Sequence, residues 1–151
     1  MLFDQLLQQA RMESEFDVNT SWGQGRTLFG GMSAALALAK ISQQVDSQRP
    51  LRSLSINFTG QARAEIPLSI AVQPLSAGKS ISQINAQVLQ DDRVVTQICA
   101  CFGIERESNI TVSSPTVELP KLGTHQRLSY IKELTPEFVQ HFEFEYCKGQ
   151  F

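Results

Sequence analysis

Along this chain the spacing of apolar residues changes period, and the changes predict its elements. Leu2, Phe3, Leu6 and Leu7 recur at helical spacing, which predicts a short amphipathic helix capping one end of a core. An extended piece, SEFDVNTS, follows, and then WGQGRTLFGG, a Gly-rich aromatic loop. From Gly31 to Val45 the chain reads as a helix of Met, Ser, Ala and Leu that carries no charge before Lys40. A helix exposed to water shows a polar stripe. This one shows none over its first turns, so it must be surrounded by protein. Ala34, Ala35, Ala37 and Ala39 leave room for strands to come close.

After Pro50 the period becomes 2. Leu54, Ile56 and Phe58 alternate with Ser53, Ser55, Asn57 and Thr59. Leu68, Ile70 and Val72, then Ile84, Ala86 and Val88, then Thr96, Ile98, Ala100 and Phe102 repeat the pattern. Four such runs predict half-buried antiparallel strands. PLSAGKS and LQDDRVV read as hairpin turns between them. An apolar sheet face of this kind, curved around the Ala-rich helix, buries the helix on most sides. The predicted class is α+β: a curved antiparallel sheet wrapped around a long central helix. The other face is polar but uncharged at Ser53, Ser55, Asn57, Gln83, Asn85, Gln87 and Gln97. It reads either as a neutral wet surface or as a second surface packed in an oligomer.

Beyond residue 104 the pattern dissolves into Ser, Thr, Pro and charges. We read 1–104 as one domain, 105–134 as a linker and 135–151 as a short helix with the start of a further element. Thr135 is placed as the N-cap of that helix, with Pro136 in its first turn. Phe142, Phe144 and Tyr146 alternate with Glu143 and Glu145 as a strand with no partner visible in the sequence.

Composition narrows the function. The 151 residues are 42% apolar with a net charge of −2, which gives no bias toward nucleic acid or an anionic membrane. No apolar run is long enough to span a bilayer, and the N-terminus lacks the basic start of a secretory signal. The three cysteines, Cys99, Cys101 and Cys147, have no metal-like spacing and read as reduced thiols of a cytoplasmic protein. His125 and His141 lie far apart and read as surface residues. No metal and no cofactor is expected.

Four stretches taken in order, SWGQGRTLFGGMSAALALAK, RPLRSLSINFTGQA, GKSISQINAQVLQDDRVVTQICACFG and YIKELTPEFVQHFEF, resemble the thioesterase II-like acyl-CoA thioesterases. The resemblance spans nearly the whole chain and implies the hotdog fold, with this chain matching the N-terminal half of a double hotdog. It implies an acyl-CoA ligand. It also implies edge-to-edge pairing of hotdogs, as a homodimer or higher oligomer or with a second hotdog, which hides an exposed strand edge. Hotdog thioesterases typically use an acid near the central helix and backbone N–H groups at the helix start. Here Ala37 and Leu38 stand about where single-hotdog relatives carry that acid.

The expected ligand contacts therefore gather at the helix start. Gly30, Gly31 and Met32 could offer N–H donors to a thioester carbonyl, and Gln24 and Thr27 are the nearest polar side chains. Phe29, with Trp22 and Arg26, either shapes an acyl or CoA site or plugs the end of the core. No side chain in this region can serve as a general base, so the catalytic residues are unassigned. Two readings follow: a catalytically silent half of an acyl-CoA thioesterase, or a non-catalytic acyl- or CoA-binding module. GQGRTLFGG lacks the GK[ST] ending of a phosphate-binding loop. Ser80, Ser82 and Gln83 read as parts of a hairpin.

Overall fold

A computed structural model describes residues 2–116, 118, 121 and 126–146. Helix α1 (Phe3–Met12) is followed by strand β1 (Glu15–Phe16), a 3-10 turn at Thr20–Trp22, and the two-residue strands β2 (Gly23–Gln24) and β3 (Thr27–Leu28). The central helix α2 runs Gly30–Ser42. Four long strands come next: β4 (Leu51–Phe58), β5 (Leu68–Ala77), β6 (Ile81–Gln90) and β7 (Arg93–Gly103). The sheet order is β1-β5-β6-β7-β4, all antiparallel. This is the α+β arrangement expected from the alternation, and the hotdog that the resemblance implies.

Helix α2 is buried because protein covers it from two sides. The sheet packs on it through β5, β6 and β7, and α1 packs on it from elsewhere. Met32, Ser33, Ala34, Leu36, Ala37, Ala39 and Ile41 are buried. Ser33 Oγ donates to Gly30 O and lies 3.1 Å from Thr96 Oγ1, so a buried hydroxyl pair pins the first turn of α2 to β7. Lys40 donates to the carbonyls of Arg11 and Glu13, which satisfies part of the C-terminal end of α1. The helix is shorter than Gly31–Val45. Ser42 Oγ turns back onto Leu38 O, and the N–H groups of Gln43 and Gln44 close tight turns on Lys40 O and Ile41 O. Gln43 and Gln44 add no apolar side chain to bury, and the helix ends before them.

Helix α1 lies beside α2 instead of capping the core end with its first residues. Leu6 and Ala10 are its buried residues, while Leu2 and Phe3 are exposed. The β6–β7 hairpin turns through Asp91 and Asp92, both in the left-handed region at φ 50° and 59°. That pair matches the two-residue turn whose twist suits a hairpin. In β7 the register passes from Val88↔Thr96 to Leu89↔Val94, which leaves Val95 as the extra residue of a bulge. Its carbonyl accepts the N–H groups of both Thr59 and Gly60.

The neutral polar residues align across the strands. Cys99 pairs with Ser55 on one side and Asn85 on the other, and Gln97 likewise with Asn57 and Gln87. Cys99 and Cys101 are free thiols on that side. The outer edge of β4 has no strand partner among the described residues, and β1 covers β5 only at Leu68 and Ser69.

Two expectations for the C-terminal segment change. The strand at Phe144–Glu145 (β9) has a partner after all: it pairs with β8 (Arg127–Leu128), inside the stretch read as irregular linker. The helix near Thr135 is a 3-10 turn at Glu137–His141, and Pro136 occupies its N-cap. Thr135 Oγ1 donates to Ile131 O and accepts from Ile131 N–H, closing the preceding turn instead of capping the next. His125 and Cys147 lie outside the described residues.

Candidate functional site

The loop before α2 is held by backbone bonds. Asn19 Oδ1 accepts from Ser21 N–H, and Phe29 N–H donates to Trp22 O at 2.9 Å. Leu28 N–H donates to Ala62 O at 2.7 Å, which ties the β2–β3 hairpin to the loop after β4. Gln24 and Thr27 face each other across that hairpin, and Thr27 Oγ1 donates to Gln24 O at 3.1 Å. Gln24 is exposed near the hairpin tip; Thr27 is half-buried with its hydroxyl already engaged.

Phe29 is the N-cap of α2 and supplies no side-chain cap. Met32 N–H, expected among the free donors, is taken by Phe29 O at 2.9 Å, and the Met32 side chain is 1% exposed. The N–H groups of Gly30 and Gly31 have no partner among the described residues. They stand at the positive end of the helix dipole. Both glycines stand against aromatic rings. A Cβ on Gly30 would fall 2.9 Å from the Phe58 ring, and one on Gly31 would fall 2.5 Å from Phe29 Cε1.

A layer of rings from the C-terminal segment covers this loop. Phe138 stacks on Phe29 with centroids 4.2 Å apart, and His141 stacks on Trp22 at 3.9 Å. Phe142 meets both Trp22 and Phe29 edge-on. Trp22 is buried at the end of the core and Phe29 is half-buried against it, while Arg26 is exposed. The layer was not readable in the sequence, because stacking partners more than a hundred positions apart leave no local periodicity.

His141 stacks on this loop through Trp22. Its pKa is held below the ordinary histidine value by partial burial of the ring, against the opposing pull of a hydrogen bond to the Ser21 backbone. Its Nε2 lies 3.0 Å from Ser21 Oγ, and Ser21 Oγ also bonds Asn19 Oδ1. The Asn19 oxygen only accepts, so the single Ser21 proton goes to it and the imidazole N–H donates to Ser21. With that polarity the histidine does not draw a proton from Ser21. The pair is a latch, not a nucleophile and base.

Chemically, the helix start can polarise a carbonyl through two N–H groups but holds no group to activate water. α2 carries no acid, and Ala37 is buried where one was sought. Among the described residues no cluster of His, Cys, Asp and Glu could hold a metal, and no helix is long and apolar enough to cross a membrane.

The fold defines a hotdog protein. The model of the acyl-CoA thioesterase N-terminal domain family matches residues 18–103, and the chain belongs to that family. Solved structures agree on the fold. One is a hotdog protein of unknown function from Alicyclobacillus acidocaldarius, 23% identical, with TM-score 0.74 over 90% of this chain and 50% of that one. Another is the acyl-CoA thioesterase II TesB2 from Mycobacterium marinum, 18% identical, with TM-score 0.66 over 83% and 47%. A third is the E. coli PaaI protein from the phenylacetic acid degradation operon, 16% identical, with TM-score 0.57 over 67% and 88%. The chain spans about half the length of the first two. No curated protein matches it in sequence.

Proposed function

We propose that this chain is the catalytically silent hotdog of an acyl-CoA thioesterase-like protein, with fatty or aryl acyl-CoA as the ligand class. The observation that supports this is α2 itself: a buried helix with two free N–H groups at its start and no carboxylate along Gly30–Ser42. Loss of a general base lowers a rate by roughly 10²–10⁴-fold. On this reading Gly30 and Gly31 polarise the thioester, Gln24, Thr27 and Phe29 border it, and Met32 packs beneath. Residues 1–104 form the first hotdog, 105–134 link it onward, and 135–151 lead toward a second. The bare edge of β4 takes that second hotdog or another copy of this chain, in the cytoplasm.

A second reading, an acyl-binding module without turnover, draws on the cleft of about 560 Å³ lined by Leu2, Phe3, Gln5, Trp22 and His141. The test is thiol release from octanoyl-, palmitoyl- and phenylacetyl-CoA by purified protein, with calorimetry in parallel. Binding without release is expected. Sustained release, lost on changing Gln24 or Thr27, would replace silence with catalysis. No binding of any thioester would remove both readings.

A further inference from the structure

We propose that the cleft between the loop after β4 and the β6–β7 turn binds the phosphate-bearing nucleotide end of a CoA thioester, through Arg63 and Arg93. The proposal rests on the acyl-CoA reading above and assigns a second part of the same ligand. The cleft has a volume of about 540 Å³, within the range of small-molecule pockets. Its wall is rigid. Gln90 is buried, accepts from Arg63 N–H, and donates to the carbonyls of Arg63 and Ile66. Thr59 Oγ1 donates to Val94 O, and the Val95 bulge carbonyl holds Thr59 and Gly60. These bonds engage Thr59, Gln90 and the backbone around them, and none of them uses an arginine side chain.

Both guanidinium groups are exposed and have no side-chain partner among the described residues. The contrast with Arg49 and Arg52 is informative. Arg49 binds Ser82 Oγ and the carbonyls of Gly78 and Lys79, and Arg52 binds Gly103 O, all at the opposite end of the sheet. Arginines there fasten the fold; those at the cleft fasten nothing. Among the described residues Asp91 is the one acid lining the cleft, so the lining side chains sum to one positive charge. Planar guanidinium groups suit phosphate oxygens.

The cleft also sits at the correct end of the molecule. Phe58, one residue before Thr59, packs on Gly30, and Ala62, one before Arg63, accepts from Leu28 N–H. The loop that carries Arg63 therefore borders the start of α2, where the thioester is placed. A ligand with a thioester at one end and phosphates at the other matches that arrangement.

Adenosine 3′,5′-bisphosphate, coenzyme A and pantetheine titrated calorimetrically into the full chain test this. The wild type should bind the bisphosphate and coenzyme A. The R63Q/R93Q variant should bind both roughly tenfold or more weakly, while pantetheine is unaffected. D91N removes the opposing charge and keeps a residue that tolerates the left-handed turn, so it should tighten bisphosphate binding. A bisphosphate that ignores the wild type, or binds R63Q/R93Q equally well, overturns the assignment. Octanoyl-pantetheine, which has no phosphate, tests the thioester reading separately. If neither protein binds it while R63Q/R93Q still loses the bisphosphate, the thioester reading falls and the cleft remains a nucleotide site.

Discussion

The indole of Trp22 and the imidazole of His141 lie stacked 3.9 Å apart and only 12° from parallel, joining the loop before α2 to the C-terminal turn. Three further bonds support that stack: His141 to Ser21 Oγ, and Gln140 Nε2 to Ser21 O and to Glu137 O. Trp22 is the one tryptophan of the chain, so its emission reports directly on the junction.

The junction should respond to acid. Burial lowers the His141 pKa in the folded state, so the unfolded chain holds more protons just below the ordinary value of about 6.5. Stability contributed here is complete above that value and is lost as pH falls through it toward the lower folded value. Denaturation midpoints and Trp22 emission across this window should show the loss, and H141Q should flatten it. A wild-type profile identical to that of H141Q would remove the histidine from the effect.

Phe138 should be the main ring anchor of the C-terminal segment. Phe138→Ala removes a half-buried ring and its stack on Phe29, at a cost of about 2 kcal/mol to the docking of that segment. Proteolysis should then cut between residues 127 and 146 while 18–103 survives. Simultaneous loss of both parts would show that the segment is integral to the core.

Gly30 and Gly31 should differ when changed to alanine. At Gly30 the obstructing Phe58 ring is 59% exposed and free to swing away, so G30A should fall within about 1 kcal/mol of wild type. At Gly31 the obstructing Phe29 ring is held by Phe138, so G31A should cost about 1–3 kcal/mol. Chemical denaturation of the two variants gives the comparison, and equal midpoints would contradict it.

The Ser33–Thr96 pair should be coupled. S33A strands the buried Thr96 hydroxyl and should cost about 1–3 kcal/mol. S33A/T96V removes both hydroxyls and should cost less than the two single changes added together. Strict additivity in the double-mutant cycle would show that the hydroxyls do not interact.

Much of the scaffold was legible because its signals are local. Alternation over Ile84–Val88 and Ile98–Phe102 chose the inner sheet face, Asp91–Asp92 marked a tight turn, and the lack of charge before Lys40 marked a buried helix. The bare helix was equally visible, since a missing carboxylate needs no tertiary information.

What tertiary structure decided depends on contacts between distant residues. Phe29 meets Phe138, Leu28 meets Ala62, and β9 pairs with β8, none of which alters hydrophobic period. Arg63 and Arg93 read alike with Arg49 and Arg52 as a row of letters. Only the folded chain, by satisfying one pair with carbonyls and leaving the other open, separates those that hold the fold from those available to a ligand. Period reports which side of an element faces water; hydrogen-bond partners and cavity walls are set by the crossing of elements in space, and that is where the candidate chemistry of this hotdog lies.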